Sequence, residues 1–87
     1  MYVIMVYDVE VERVNKVLKT GRKYLNWVQN SVLEGEITSA RLEKLKAELK
    51  KIIKEDKDSI IFYILRDVRY TRRETMGLSK GGEELII

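Results

Sequence analysis

The chain of 87 residues contains no cysteine and no histidine. Without cysteine, there is no disulfide framework to compensate for the small core of a short chain. The two absences also exclude Ser-His-Asp and Cys-His catalysis and the ordinary zinc sites. Any catalysis must therefore use carboxylates, hydroxyl groups, lysine, arginine or a hard metal ion such as magnesium held by oxygen atoms.

Long apolar runs are also missing. No run approaches the ~20 residues that a membrane span needs, and the N-terminus lacks a basic segment followed by a cleavable apolar one. We therefore expect a soluble, cytoplasmic protein with no membrane partner. A chain of this length predicts one domain that buries roughly 60–65% of its unfolded surface, so oligomerisation is an obvious further source of buried area.

Charge is abundant but nearly balanced. Lysine and arginine total 17, aspartate and glutamate total 14, and the net charge is +3. An excess this small does not establish nucleic-acid binding, so the position of the basic residues matters more than their number. The charged fraction of 36% fits the surface ion-pair networks that are typical of thermophile proteins.

The apolar run Tyr2–Asp8 opens the chain and ends on a single carboxylate. Its length and its content of valine, isoleucine and tyrosine predict a central strand buried on both faces. Asp8 then lies where this strand passes into a helical pattern, a position at which sheet proteins often place their chemistry. Two roles are open for Asp8, as the N-cap of the helix or as a metal ligand, and they can coexist.

A helix follows the opening strand. Its apolar stripe has the spacing i, i+3, i+6 and i+7 and consists of Val11, Val14, Val17 and Leu18. Three basic residues recur every third position on another face, namely Arg13, Lys16 and Lys19. This basic row is either a solvated helix face or a ridge that contacts nucleic-acid phosphates beside Asp8.

The remaining pattern completes a ferredoxin-like α+β fold. Residues 24–29 and 31–37 read as two strands, or as one bent strand with a break near Asn30. Thr38 or Ser39 is a plausible N-cap for a second helix. Ser59–Leu65 reads as another central, fully apolar strand. The order βαββαβ predicts an antiparallel four-stranded sheet with two helices on one face, in a single domain 1–87.

Residues 67–87 form a tail beyond the core at 1–66. The tail carries a cluster of arginines, and it closes on the apolar residues Leu85, Ile86 and Ile87. A short terminal segment of this kind ordinarily frays. Its apolar end is better explained if it adds as a strand to a sheet edge, of its own chain or of a partner.

Several segments together resemble one family. They are Tyr7-Asp8-Val9 at the end of the first strand, Arg13 on the helix, the run at 27–35 (WVQNSVLEG), and Asp58-Ser59-Ile60 leading into a strand that contains Tyr63. The chain is similar in these residues, over positions 1 to about 66, to the small ferredoxin-like CRISPR-associated protein that works beside the spacer-acquisition integrase. That family is often described as a metal-dependent endoribonuclease.

The resemblance implies a homodimer in which the tail of each chain pairs with the sheet of the other. It also implies a Mg²⁺ site between two symmetry-related copies of Asp8, which would be both metal ligand and catalytic residue. Side chains expected at the dimer interface are Gln29, Ser31, Glu34, Leu85 and Ile86. One departure is Leu33, which stands where the family usually has an aromatic residue, so that a stacking surface is lost.

Two functions from different classes follow. In the first, the protein is a magnesium-dependent phosphodiesterase that acts on RNA or DNA in spacer acquisition, with paired Asp8 carboxylates at the centre. In the second, it is a non-catalytic dimeric scaffold that bridges integrase subunits and holds a DNA duplex. A twofold axis is needed in the first because one carboxylate per chain is a poor magnesium site.

Overall fold

A computed structural model describes residues 1–69 and 72–77. Four strands and two helices follow one another in the order βαββαβ. Their bounds are β1 Tyr2–Asp8, α1 Val11–Arg22, β2 Asn26–Gln29, β3 Val32–Glu36, α2 Ser39–Ile52 and β4 Ser59–Leu65. The predicted α+β class and the succession of elements are therefore confirmed, and the region from 24 to 37 is two strands rather than one. No helix among the described residues has the length and apolar character to cross a bilayer.

The four strands form one antiparallel sheet in the order β2-β3-β1-β4. The opening strand β1 is central, as predicted, with Met5 paired to Leu33 on one side and to Phe62 on the other. Its alternate residues Val3 and Met5 are fully buried, and they pack with the apolar residues of the two helices. The core thus lies between the helices and one face of the sheet.

The other face of the sheet is less covered. Tyr2 on this face is buried, but Ile4 and Val6 are half-buried, so the prediction of full burial on both faces of β1 is wrong. The physical reason is that both helices pack against the face carrying Val3 and Met5. No helix in the described part of the chain covers the second face. The described part of the tail contacts this face through the ion pair between Arg73 and Glu34.

Strand β4 is an edge strand of the described sheet and not the central strand that its composition predicts. Its residues are either half-buried or exposed, and Ile61, Tyr63 and Ile64 are about half exposed at 47%, 54% and 49%. An apolar composition indicates that a strand is covered, but it does not identify which strand, helix or second chain covers it.

The two helices begin differently. Thr38 is the N-cap of α2, as predicted, and its hydroxyl oxygen accepts a 3.2 Å hydrogen bond from the amide of Arg41. The N-cap of α1 is Glu10, without a side-chain capping bond, so of the two roles left open for Asp8 the N-cap is excluded. Val11 also leaves the predicted apolar stripe, because it is 79% exposed.

Close packing of α1 on the sheet depends on Gly21. A Cβ atom at this position would collide with the side chain of Leu33, and the ε-methyl of Met5 is the next side-chain atom nearby. Leu33 is itself completely buried against this helix. A ring in place of Leu33 would therefore point into the core and not toward a substrate, which corrects the expected loss of a stacking surface.

Candidate metal and nucleic-acid site at the end of strand β1

Asp8 is the last residue of β1, and its side chain is exposed. It pairs across the sheet with Ser59, the first residue of β4. By strand alternation it shares a face with Ile4 and Val6, the face that the helices leave uncovered. Within residues 1–69 and 72–77 its carboxylate takes part in no hydrogen bond or ion pair. Asp8 therefore presents a carboxylate whose oxygen atoms are available to a ligand.

Asp8 does not belong to a cluster of potential metal ligands within the described part of its own chain. Among the described residues there is no group of three or more histidine, cysteine, aspartate or glutamate side chains that could hold an ion. A magnesium ion is commonly held by one or two carboxylates together with water and substrate phosphates. The oxygen atoms of Asp8 fit that ion chemically, provided that further ligands come from outside the chain.

A second aspartate, Asp58, lies one residue before β4 and behaves in the opposite way. Its side chain is 0% exposed and accepts four hydrogen bonds. Two come from backbone amides, of Glu10 at 3.0 Å and Lys54 at 2.8 Å. The other two come from the guanidinium of Arg13, from Nε at 2.6 Å and from Nη2 at 2.9 Å. No lone pair of Asp58 is left to hold a metal ion.

The hydrogen bonds change the acidity of both partners. Hydrogen bonding from the Arg13 guanidinium is the main reason that the pKa of the Asp58 carboxyl lies well below its usual range. The same bond to Asp58, with a second to Glu10, raises the pKa of Arg13 further above its ordinary value. Both groups are therefore charged throughout the range in which proteins work.

The predicted basic row separates into two kinds of residue. Arg13 is only 13% exposed, and besides Asp58 its guanidinium contacts Glu10 at 2.8 Å and Glu12 at 3.6 Å. Lys16 and Lys19, in contrast, are exposed on the same helix. The lysines can reach a phosphate from solvent, whereas the charge of Arg13 is already surrounded by carboxylates.

The turn between β2 and β3 is held against the end of β1. The backbone carbonyl of Asn30, a residue with a φ of 35°, accepts hydrogen bonds from the indole of Trp27 at 2.9 Å and the hydroxyl of Tyr7 at 3.3 Å. The amide of Tyr7 donates to the carbonyl of Ser31 at 3.0 Å. Burial raises the pKa of Tyr7, so its phenol is a neutral donor. This tyrosine therefore holds the turn and does not face a substrate.

Of the residues predicted for a dimer interface, Gln29 lies on β2, Ser31 in the turn that follows it, and Glu34 on β3. Gln29 and Ser31 are half-buried, while Glu34 is only 3% exposed. The carboxylate of Glu34 accepts a 2.6 Å hydrogen bond from the hydroxyl of Tyr2 and pairs with Arg73 of the tail at 2.9 Å. Glu34 thus anchors the tail of its own chain. The predicted interface residues Leu85 and Ile86 lie outside the described residues.

Sequence reasoning missed the role of Asp58. The sequence places Asp58 only at the start of the segment that leads into the last strand, and its main partner Arg13 is 45 positions away in the chain. One local signal was present, because the carboxylate immediately precedes an apolar strand and follows the end of a helix, where unpaired backbone amides are common. That signal indicates a carboxylate bound to backbone but does not name the arginine.

Comparison with known proteins agrees with this architecture. A family model described as CRISPR associated protein Cas2 matches residues 1–73. The CRISPR-associated endoribonuclease Cas2 of Dictyoglomus turgidum is 59% identical over 87 residues, which cover 100% of both chains. A crystal structure of Cas2 has a TM-score of 0.85 and 49% identity, covering 100% of this chain and 98% of that chain. Streptococcus pyogenes Cas2, crystallised at pH 6.5, has a TM-score of 0.79 and 40% identity, covering 88% of this chain and 100% of that chain.

The match to the family model covers most of the chain, and the relative from Dictyoglomus turgidum is similar over its full length. The residues that carried the resemblance, from Tyr7-Asp8-Val9 to Tyr63, all lie inside the matched region. The chain therefore belongs to the CRISPR associated protein Cas2 family.

Proposed function

We propose that this protein is a magnesium-dependent phosphodiesterase of the CRISPR adaptation machinery, with Asp8 as its metal ligand and catalytic residue. The observation that carries the proposal is the exposed, unbonded carboxylate of Asp8 at the end of the central strand, within the described residues. Nuclease activity is supported by the name endoribonuclease that curated relatives bear. Acid residues at strand ends are common positions for catalysis in sheet proteins.

The active unit in this proposal is a homodimer of ferredoxin-like domains. One chain supplies one carboxylate, and a twofold axis past the end of β1 would bring a second copy of Asp8 to the same ion. The face of the sheet that carries Asp8, Ile4 and Val6 is the face that the helices leave uncovered. Burial of that face against a second chain would also supply apolar area that a chain of 87 residues otherwise lacks.

The residues of the chain divide the chemistry between them. A bound Mg²⁺ would supply charge for a phosphate oxygen and lower the pKa of bound water. Asp8 would hold and orient the ion through its carboxylate oxygens. Lys16 and Lys19 would neutralise flanking phosphates, with strong salt dependence and no sequence preference. Arg13 was predicted to share that role, and its pairing with Asp58 makes it the weakest contributor of the three.

The substrate class is a nucleic acid, RNA or double-stranded DNA, and the partner is the spacer-acquisition integrase. The alternative is a scaffold that binds duplex DNA between integrase subunits without cleaving it. That alternative is favoured because the described residues contain no group of three or more potential metal-ligand side chains. Both functions need the dimer and the exposed lysines, so they differ only at Asp8.

The test is the substitution Asp8→Asn, which keeps size and removes the charge. We expect metal-dependent cleavage of RNA and DNA substrates to fall by roughly 100-fold or more, because the ion would lose the carboxylates proposed to hold it. The matched control is Asp56→Asn, an exposed aspartate in the turn before β4. Cleavage that persists in Asp8→Asn, or is absent from the wild type, excludes the enzyme. Spacer acquisition that survives the same substitution supports the scaffold.

The tail is the second element to test. We expect truncation after Arg73 to weaken the dimer by about tenfold or more, because it removes the apolar residues Leu85, Ile86 and Ile87 that would add to the partner's sheet. Light scattering across a range of concentrations measures the change. The variant keeps Arg73 and its ion pair with Glu34, so the domain itself is preserved. A truncated protein that stays dimeric at low micromolar concentration contradicts the proposed exchange of strands.

A further inference from the structure

The buried carboxylate of Asp58 joins three segments that are distant in sequence. It accepts hydrogen bonds from the amide of Glu10 in the turn after β1, from Arg13 in α1 and from the amide of Lys54 after α2. The ties to Glu10 and Arg13 span 48 and 45 positions of the chain. One side chain therefore sets where the turn after β1, the start of α1 and the entry into β4 lie relative to each other.

These three segments surround the backbone of Asp8. Glu10, which donates its amide to Asp58, is two residues after Asp8. Ser59, which pairs with Asp8 across the sheet, is the residue next to Asp58. The backbone of Asp8 is thus restrained along the chain through Glu10, whose amide donates to the Asp58 carboxylate, and across the sheet by pairing with Ser59, the residue that follows Asp58.

The contact with Arg13 is specific to its guanidinium. Nε approaches Oδ2 at 2.6 Å, and Nη2 approaches Oδ1 at 2.9 Å, so two parallel bonds fix the plane of the carboxylate. Lysine carries one ammonium group and cannot form this fork. The side chain of Arg13 is also largely covered, at 13% exposure. Its geometry is that of a structural brace.

We propose that Asp58, braced by Arg13, is the positioning residue of the Asp8 site. The inference rests on the proposed function of Asp8 as a metal ligand. Two carboxylates that share an ion across a twofold axis must be held within about 0.5 Å of the productive geometry, and the axis doubles every error in one chain. Asp58 supplies that precision without touching the metal or the substrate.

The experiment compares Asp58→Asn with Asp56→Asn in ¹⁵N-labelled full-length protein. The side-chain amide that Asp58→Asn introduces would place its N–H donors against the donors of Glu10, Arg13 or Lys54. Some of the hydrogen bonds that Asp58 accepts would therefore be lost. Amide hydrogen exchange of Asp8, Val9 and Glu10 should accelerate by about tenfold or more, relative to the centre of β1. Titration with Mn²⁺, followed by line broadening at Asp8, should show about tenfold weaker binding in a protein that is still folded.

Measurements of apparent metal affinity and of cleavage rate distinguish a positioning role of Asp58 from a role in stability alone. With a misplaced Asp8, cleavage by Asp58→Asn should recover in part at high Mg²⁺ concentration. A purely structural role for Asp58 lowers the melting temperature and leaves Mn²⁺ binding of the folded fraction unchanged, and that result overturns the inference. If Asp58→Asn fails to fold, Arg13→Lys replaces it, because lysine keeps the charge and loses the fork.

Failure of the two proposals can be told apart. If wild-type protein binds no Mn²⁺ at Asp8, the proposed metal function is wrong, and exchange at Asp8 then decides whether Asp58 positions that backbone at all. If the wild type binds Mn²⁺ and Asp58→Asn binds it equally well, the metal function stands and the positioning role is wrong. Asp56→Asn should match the wild type in every measurement, since its side chain is exposed in the turn.

Discussion

Asp8 and Asp58 lie at the same end of the sheet, yet their environments are opposite. Asp8 ends the central strand with an exposed carboxylate that has no protein partner among the described residues, while the side chain of Asp58 is 0% exposed and accepts four hydrogen bonds. The difference separates a group that can bind a ligand from a group that is already fully bound. Proximity to a strand end does not by itself identify a functional acid; the number of occupied oxygen lone pairs does.

Thermal stability gives the largest contrast between the two aspartates. Asp58→Asn should lower the melting temperature by about 5 °C or more, because buried donors lose a charged acceptor. Asp8→Asn should leave it unchanged within about 2 °C or raise it slightly in metal-free buffer, where two facing carboxylates would repel. Differential scanning calorimetry of both variants makes the comparison. An equal fall in melting temperature in the two variants would contradict the distinction between an available and a fully bonded carboxylate.

Acid sensitivity provides the next test. The pKa of Asp58 in the folded protein is below its unfolded value of roughly 3.9, so its carboxylate stabilises the fold at neutral pH. That contribution is lost as the pH falls below about 4 toward the lowered pKa. The melting temperature of the wild type should therefore drop between about pH 5 and pH 2, and that of Asp58→Asn should drop less. An identical pH profile in the two proteins contradicts the depressed pKa.

The smallest expected effect concerns the basic row of α1, which repeats the contrast between available and occupied charge. Lys16→Gln combined with Lys19→Gln should weaken binding of a short duplex by about tenfold at low salt, and each lost phosphate contact should reduce the salt slope by about 0.9. Arg13→Gln should change that slope less, because its guanidinium is already paired with Asp58. Fluorescence anisotropy at several salt concentrations measures both.

Lys44→Gln combined with Lys51→Gln is the control for this binding experiment, since both are exposed lysines on α2. It removes the same two charges from the other helix. An equal loss of affinity in this control would show that the duplex responds to net charge and not to the row on α1. The slope of log binding constant against log salt concentration could also change as much in Arg13→Gln as in the lysine variants. That result would show that Arg13 leaves Asp58 when nucleic acid binds.

Local patterns in the sequence were sufficient for the order of elements and for the position of Asp8 at the end of β1. Apolar periodicity and the capping residue Thr38 are properties of neighbouring positions, and the structure agrees with both. The position of Asp8 followed from the abrupt end of an apolar run. These patterns indicate whether each segment is a helix or a strand, and therefore the fold class and the ends of the strands could be predicted.

Long-range pairing could not be predicted in the same way. The bond between Arg13 and Asp58 links positions 45 apart, and the bond between Tyr2 and Glu34 links positions 32 apart. Neither pair has a spacing that a helix or a strand would impose, so no periodicity reveals it. The exposed edge of β4 was missed for a related reason, because its apolar composition shows a need for burial and not which strand meets it.

The apolar edge strand has a consequence for the newly synthesised chain. Ile61, Tyr63 and Ile64 remain exposed on β4 in a single copy, and such an edge can recruit other unfinished chains as readily as the correct one. Charged residues flank the strand closely, with Lys57 before it and Arg66 after it, in the manner of residues that oppose aggregation. The yield of folded protein in a cell would then depend on how soon this edge is covered.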